Sequence, residues 1–134
     1  MDTVLKLDNF ETLTISAVGN IGKNEIYSDV TLCTADGESL RAHKVILASF
    51  SRTLSKVLVN NPHSNSIIFL NNIDIATLKR LKDFIYLGVV RVPKASVIDF
   101  IRIAKDLGIA GVVEQSEENL QSTEGQSETV FEDS

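Results

Sequence analysis

Asp29, His43 and Ser49 are the residue types of a nucleophilic hydrolase. In such enzymes a carboxylate orients an imidazole that takes the serine proton. A triad is defined by geometry, so three residue types in one chain carry little weight. No Gly-x-Ser-x-Gly elbow occurs, and Ser49 follows the apolar run Val45-Ile46-Leu47-Ala48, where a helix interior is expected. Metal chemistry fails on spacing. His43, His63 and Cys33 are scattered, without a Cys-x-x-Cys or His-x-x-x-His arrangement. Gly19 and Gly22 precede no strand-to-helix turn carrying a Lys-Ser/Thr pair, so they make no phosphate-binding loop. His43 reads as a buried imidazole whose ring nitrogens bond to the scaffold, and Cys33 as a small strand residue. The sequence therefore points to no catalysis, no metal and no cofactor.

The elements that hold these residues are legible locally. Val30, Leu32 and Thr34 alternate with Thr31 and Cys33, as in a strand with one face on a core. Asp36-Gly37 supplies a tight turn, since glycine tolerates positive φ. Ser39 to Ala42 returns as a second strand, and a short buried helix is expected from Lys44. Ser51 is expected to cap a helix from Arg52 to about Val59, with Leu54, Val57 and Leu58 on its apolar face. Asn60 to Asn65 is a turn cluster, and Ser66 to Leu70 a β-rich run. Asp74 is placed to cap a helix bearing Leu78, Leu81, Phe84 and Ile85, which Gly88 stops. A brief strand is expected over Val89 to Val92. A last helix is expected over about Ala95 to Leu107, ended by Gly108.

At the front, Val4, Leu5 and Leu7 suggest a strand. Asp8 with Glu11 fits a capping box, and Phe10, Leu13, Ala17 and Ile21 follow on one helical face. Gly19 and Gly22 should weaken the far end of that helix, by about 1 kcal/mol each relative to alanine.

Taken together, several stretches resemble the BTB/POZ domain family. They are Ser28-Asp29-Val30-Thr31-Leu32, Asp36-Gly37 and the run from Leu40-Arg41-Ala42-His43-Lys44 to Ser49. Downstream, Ile67 to Asn72, Phe84 to Gly88 and Ala104 to Ile109 match as well. The segment Leu5 to Phe10 is similar to the amino-terminal extension of the insect tramtrack-type subgroup. The likeness covers roughly Leu5 to Val113. Two positions depart from the pattern. Ser51-Arg52-Thr53 stands where the family often has Ser-Pro-aromatic, and Leu7-Asp8 replaces an aromatic residue before the asparagine.

The resemblance implies an α+β domain with the BTB/POZ fold, a small mixed sheet flanked by short helices. It also implies an amino-terminal strand and helix used for dimerisation. Leu5, Leu7, Phe10, Leu13 and Ala17 would then form the dimer interface. Asp29 and Lys44 would form a charged pocket near that interface, which the family links to partner binding. The residues themselves equally allow a structural ion pair.

Composition narrows the class further. The 134 residues suit one domain, with a BTB/POZ core over 1–113 and an acidic tail or linker over 114–134. No apolar run approaches the ~18 residues of a membrane helix, and no signal pattern opens the chain. One cysteine excludes an internal disulfide and fits a reducing compartment. The net charge of −5 misleads, because residues 114–134 hold seven acids and no Lys or Arg. That leaves 11 acids against 13 bases in 1–113, too even a balance for a nucleic-acid surface. The tail has too few large apolar side chains to offset its ordering entropy and is expected to be disordered. The expected role is a homodimerising, or multimerising, interaction module of a nuclear transcription or chromatin regulator, which binds itself and other BTB proteins or co-regulators. A substrate adaptor of a cullin-type ubiquitin ligase is the alternative.

Overall fold

Alternation along Val30–Thr34 builds the sheet around its central strand. This strand, β1, buries Val30, Leu32 and Thr34 on one face. The strand β2, Ser39–Ala42, pairs with it antiparallel, Val30 opposite Ala42 and Cys33 opposite Ser39. The strand β3, Ser66–Leu70, pairs with β1 in parallel, Val30 opposite Ser66 and Thr34 opposite Leu70. The resulting mixed sheet has the order β2-β1-β3. Gly37 turns the hairpin at φ 81°, the left-handed region where a side chain would be strained.

Among the described residues five α-helices accompany the sheet: α1 Phe10–Gly22, α2 Lys44–Phe50, α3 Arg52–Val59, α4 Ile75–Leu87 and α5 Val97–Asp106. The computed structural model describes residues 1–113. The tail expected to be disordered lies outside the described residues. Two compact units make up the chain. Among the described residues, one comprises 1–46 and 63–90, the other 47–62 and 91–113.

In the first unit the sheet residues share burial with Leu78, Leu81, Ile85 and Tyr86 of α4. Asp74 caps α4 by accepting the Thr77 N–H at 2.8 Å. Gly88 ends the helix at φ 83° and donates its N–H to the Phe84 carbonyl. Helix α1 lies against α4 through its glycines. A Cβ on Gly22 would stand 2.8 Å from the Tyr86 ring, and one on Gly19 would stand 3.1 Å from Leu87 Cδ2. These glycines cost helix propensity and in return permit close approach.

In the second unit Leu47, Leu54, Leu58, Phe100 and Ala104 are buried. Ser51 works twice there. Its hydroxyl oxygen accepts the Leu54 N–H at 3.0 Å, capping α3, and the hydroxyl donates to the Leu107 carbonyl at 2.5 Å. Gly108 follows α5 at φ 72°, and a Cβ there would reach 2.8 Å from Arg52 Cβ. Since Ser51 is buried, Ser51→Ala strands the Leu54 N–H at the start of α3, while the Leu107 carbonyl keeps the Thr53 N–H at 3.2 Å. We expect a loss of about 1–2 kcal/mol, read as a lower urea midpoint at unchanged slope.

Five expectations are corrected. Residues 4–7 and 89–92 form no strand in the described chain, because neither finds a ladder partner within it. The capping box at Asp8 and Glu11 does not form. Asn9 is the flanking residue, at φ 58°, and no side chain caps the first turn of α1. The last helix begins later than Ala95, since Lys94–Ser96 forms a 3₁₀ turn before α5. The helix after His43 is buried only in part: Ile46 and Leu47 point inward, while Val45 is 70% exposed.

Candidate interaction surface

Helix α1 has 13 residues, one of them charged (Glu11), and none buried. Phe10 is 60% exposed and Leu13 49%, and Ala17 is exposed beside them. Ahead of the helix, Val4, Leu5 and Leu7 are exposed as well. The side facing α4 uses Gly19 and Gly22, so Phe10, Leu13 and Ala17 of the apolar face read from the sequence are left uncovered, while Ile21 is half-buried. A contiguous apolar surface of this kind marks an interaction site.

The structure brings Asp29 and Lys44 together, through the backbone of Lys44. The Asp29 carboxylate accepts the Lys44 N–H at 2.8 Å. It thus places negative charge at the start of α2, where the helix dipole favours it. The Lys44 ammonium donates instead to the His63 carbonyl. Both residues are half-buried. This arrangement replaces the side-chain ion pair that the residues allowed.

His43, 4% exposed, is held at three points. Its backbone N–H donates to the Tyr86 hydroxyl at 2.9 Å. Its Nδ1 lies 2.9 Å from the same hydroxyl, and its Nε2 lies 3.0 Å from the Asn24 carbonyl. A carbonyl only accepts, so Nε2 carries the proton and donates. Nδ1 then accepts from the Tyr86 O–H, and every polar group is satisfied. The rings meet edge to face, with centroids 5.7 Å apart. This is the scaffold role expected of His43, with no ring nitrogen left to serve a nucleophile. Ser49 is exposed on α2.

Burial pushes the Tyr86 phenol up to about 12, with the Asp29 charge adding to the rise and the bond from the His43 N–H opposing it. Lys82 sits with its ammonium 5.5 Å from the Tyr86 ring centroid and donates to the Arg41 carbonyl at 3.0 Å. Burial holds this ammonium below its ordinary value, with Glu25 and Asp83 pulling the other way. On the outer sheet face the Arg41 guanidinium donates to Ser28 Oγ, to the Ser28 carbonyl and to Thr31 Oγ1. Among the described residues no group of His, Cys, Asp and Glu is placed to hold a metal ion, and no helix is long and apolar enough to cross a membrane.

Sequence reasoning missed Tyr86 and Asn24 as partners of His43, and the packing role of Gly22. It also missed Ile67 and Phe69, which stand 67% exposed on β3. None of these had a local signal: Ile67 to Leu70 are four consecutive large apolar residues, so the run shows a strand without showing which face is wet.

Such a site consists of surfaces and a satisfied buried network, and it defines a protein-interaction domain. A family profile described as BTB/POZ domain matches residues 19–124, and the chain belongs to that family. This is a protein-interaction fold and not an enzyme family. The chain is 31% identical over 118 residues to the Broad-complex core protein isoforms 1/2/3/4/5 of Drosophila melanogaster, covering 88% of this chain and 16% of that protein. It is 30% identical over 114 residues to the alpha isoform of protein tramtrack from the same organism, covering 85% and 14%. The Longitudinals lacking protein-like of that fly is 28% identical over 110 residues, covering 82% of this chain and 86% of that protein. The chain thus spans less than a fifth of the first two relatives. Among solved structures, the BTB domain of human gigaxonin superposes with a TM-score of 0.66 at 24% identity, covering 80% of this chain and 87% of that one. That likeness is one of fold.

Proposed function

We propose that this chain is a self-associating interaction domain of a nuclear transcription or chromatin regulator. The observation that carries the reading is the uncovered apolar face of α1, with Phe10, Leu13 and Ala17, continued by Leu5 and Leu7. A twofold dimer covers the same patch twice. Residues 4–7, which lack a strand partner in one chain, gain one by pairing with an edge of the other. Similarity to Broad-complex core protein and tramtrack supports the regulatory setting. Dimerisation in that setting multiplies the avidity of any DNA- or partner-binding segment attached to it.

Light scattering over a concentration series tests the reading, with a mass of two chains or more expected. A folded monomer at every concentration defeats it. Nanomolar binding to a cullin amino-terminal domain would move the assignment to a ligase adaptor.

Asp29 and Lys44 are the charged part of the same reading, half-buried and available to a partner. Asp29→Asn separates this role from the structural one, because the amide oxygen still accepts the Lys44 N–H. Partner binding should fall about tenfold with little change in thermal midpoint. A change in stability alone would leave the pair purely structural.

A further inference from the structure

Charge is divided unevenly along the chain. Within 1–113 the first unit holds nine acids against seven bases. The second holds six bases (Arg52, Lys56, Arg91, Lys94, Arg102 and Lys105) against Asp99 and Asp106, a balance of +4. The seven acids of residues 114–134 follow directly on this basic unit.

Packing gathers three of its bases. The amino end of α3 meets the carboxyl end of α5, where the Thr53 N–H donates to the Leu107 carbonyl at 3.2 Å and the Thr53 hydroxyl to the Asp106 carbonyl at 3.0 Å. Gly108 lies against Arg52, and its N–H donates to the Lys105 carbonyl at 2.9 Å. Lys56 stands one turn after Arg52, on the same face of α3. Arg52, Lys56 and Lys105 are exposed, and none has an ion-pair partner among the described residues. Asp106 is the acid beside them, whereas Arg102 is paired with Asp99 at 2.7 Å.

We propose that the strip formed by Arg52, Lys56 and Lys105 is a docking surface for the acidic segment 114–134 of the same chain. Charge complementarity is the first argument, and the point of attachment is the second. Ser51 and Ile109 form an antiparallel bridge, which sets the chain beside Arg52 shortly before the segment begins. Glu114, Glu117 and Glu118 lie within about 18 Å of extended chain from Val113, enough to span the roughly 6 Å turn between Arg52 and Lys56. Attachment so close by gives the segment an effective concentration in the millimolar range, so exposed ion pairs that are weak one by one hold it together. An acidic partner must displace the segment to reach the same strip, and the segment thereby controls access to it.

Carbodiimide coupling of the full chain tests this, because it joins a carboxylate to an amine only where the two touch. Peptide mapping should find Glu114, Glu117 or Glu118 linked to Lys56 or Lys105, with no such links to Lys23 or Lys79 of the first unit. The yield should fall at least fivefold in about 0.5 M salt, where the screening length shrinks to a few ångströms. Lys56→Glu should cut the remaining links to Lys105 at least threefold. Poly-glutamate serves as the external probe. Glu114→Gln, Glu117→Gln and Glu118→Gln made together should bind it at least tenfold more tightly than the wild type, since the strip is then vacated. Links spread evenly over all lysines, or unchanged by salt, overturn the proposal. Equal binding of poly-glutamate to both chains overturns it too, and gives the strip to a separate acidic partner. In a co-refolded mixture of isotope-labelled and unlabelled chains the links should stay within one chain; links that join the two populations would assign the contact to the segment of another copy and overturn docking in the same chain.

Discussion

A Leu13→Asp chain is expected to remain folded and to dissociate. Leu13 is half exposed and α1 has no buried residue, so a single copy loses little packing. In a twofold dimer the same change is made twice. Each leucine withdrawn from cover forfeits about 1.5–3 kcal/mol, and each carboxylate must be desolvated if the dimer persists. The sum exceeds about 3 kcal/mol, which weakens association by at least two orders of magnitude. Phe10→Asp should act alike, and Leu13→Ala more mildly. Sedimentation together with circular dichroism reads both halves of the expectation. Unfolding without a folded monomer would make the dimer obligate, so that stability and association cannot be measured apart. A folded chain of unchanged mass would remove α1 from the interface.

The contrast between α1 and the rest of the chain also explains what could be read from the sequence. The hairpin, the bounds of α3 and β3, the Ser51 and Asp74 caps and the Gly88 stop rest on neighbours within a few positions. Their signals are therefore local. Gly19 and Gly22 were legible only as weak helix formers, because what they approach lies more than sixty positions away on α4. A separation of 43 positions likewise hid Tyr86 from any reading of His43, although the burial of that imidazole was evident from its apolar surroundings. Asp29 and Lys44 were legible as a pair. Their mode of contact was not, since a backbone donor has no mark in sequence. Strands at 4–7 and 89–92 have the right residues and no ladder in the described chain, which places the missing term outside local sequence. Asn9 shows the reverse case, where a left-handed backbone displaced a capping box that the spacing favoured.

Tyr86→Phe should be the most damaging single-atom change in the buried network. The hydroxyl accepts the His43 N–H and donates to His43 Nδ1, so its removal strands two buried groups. At about 1–3 kcal/mol for each unsatisfied group, the loss is about 2–6 kcal/mol. That is a large part of the roughly 5–15 kcal/mol that holds a domain folded. His43→Ala does not mimic it, because the phenol then keeps one backbone donor. The phenol also gives the network a pH signature. Folding raises its ionisation from near 10 to about 12, so the folded state favours the neutral form. The stabilisation is complete below pH 10 and is lost as pH climbs through 12. Lys82 runs the other way, since an ammonium held low by burial favours the folded state more as pH rises, and it is common to both proteins. Subtracting the urea stability of Tyr86→Phe from that of the wild type therefore isolates the phenol. The difference should be flat to pH 10 and shrink above it, while tyrosinate absorbance of the folded wild type shows a late step near 12. A difference independent of pH across that window would mean that the hydroxyl reaches water, and the enclosed His43 network would have to be given up.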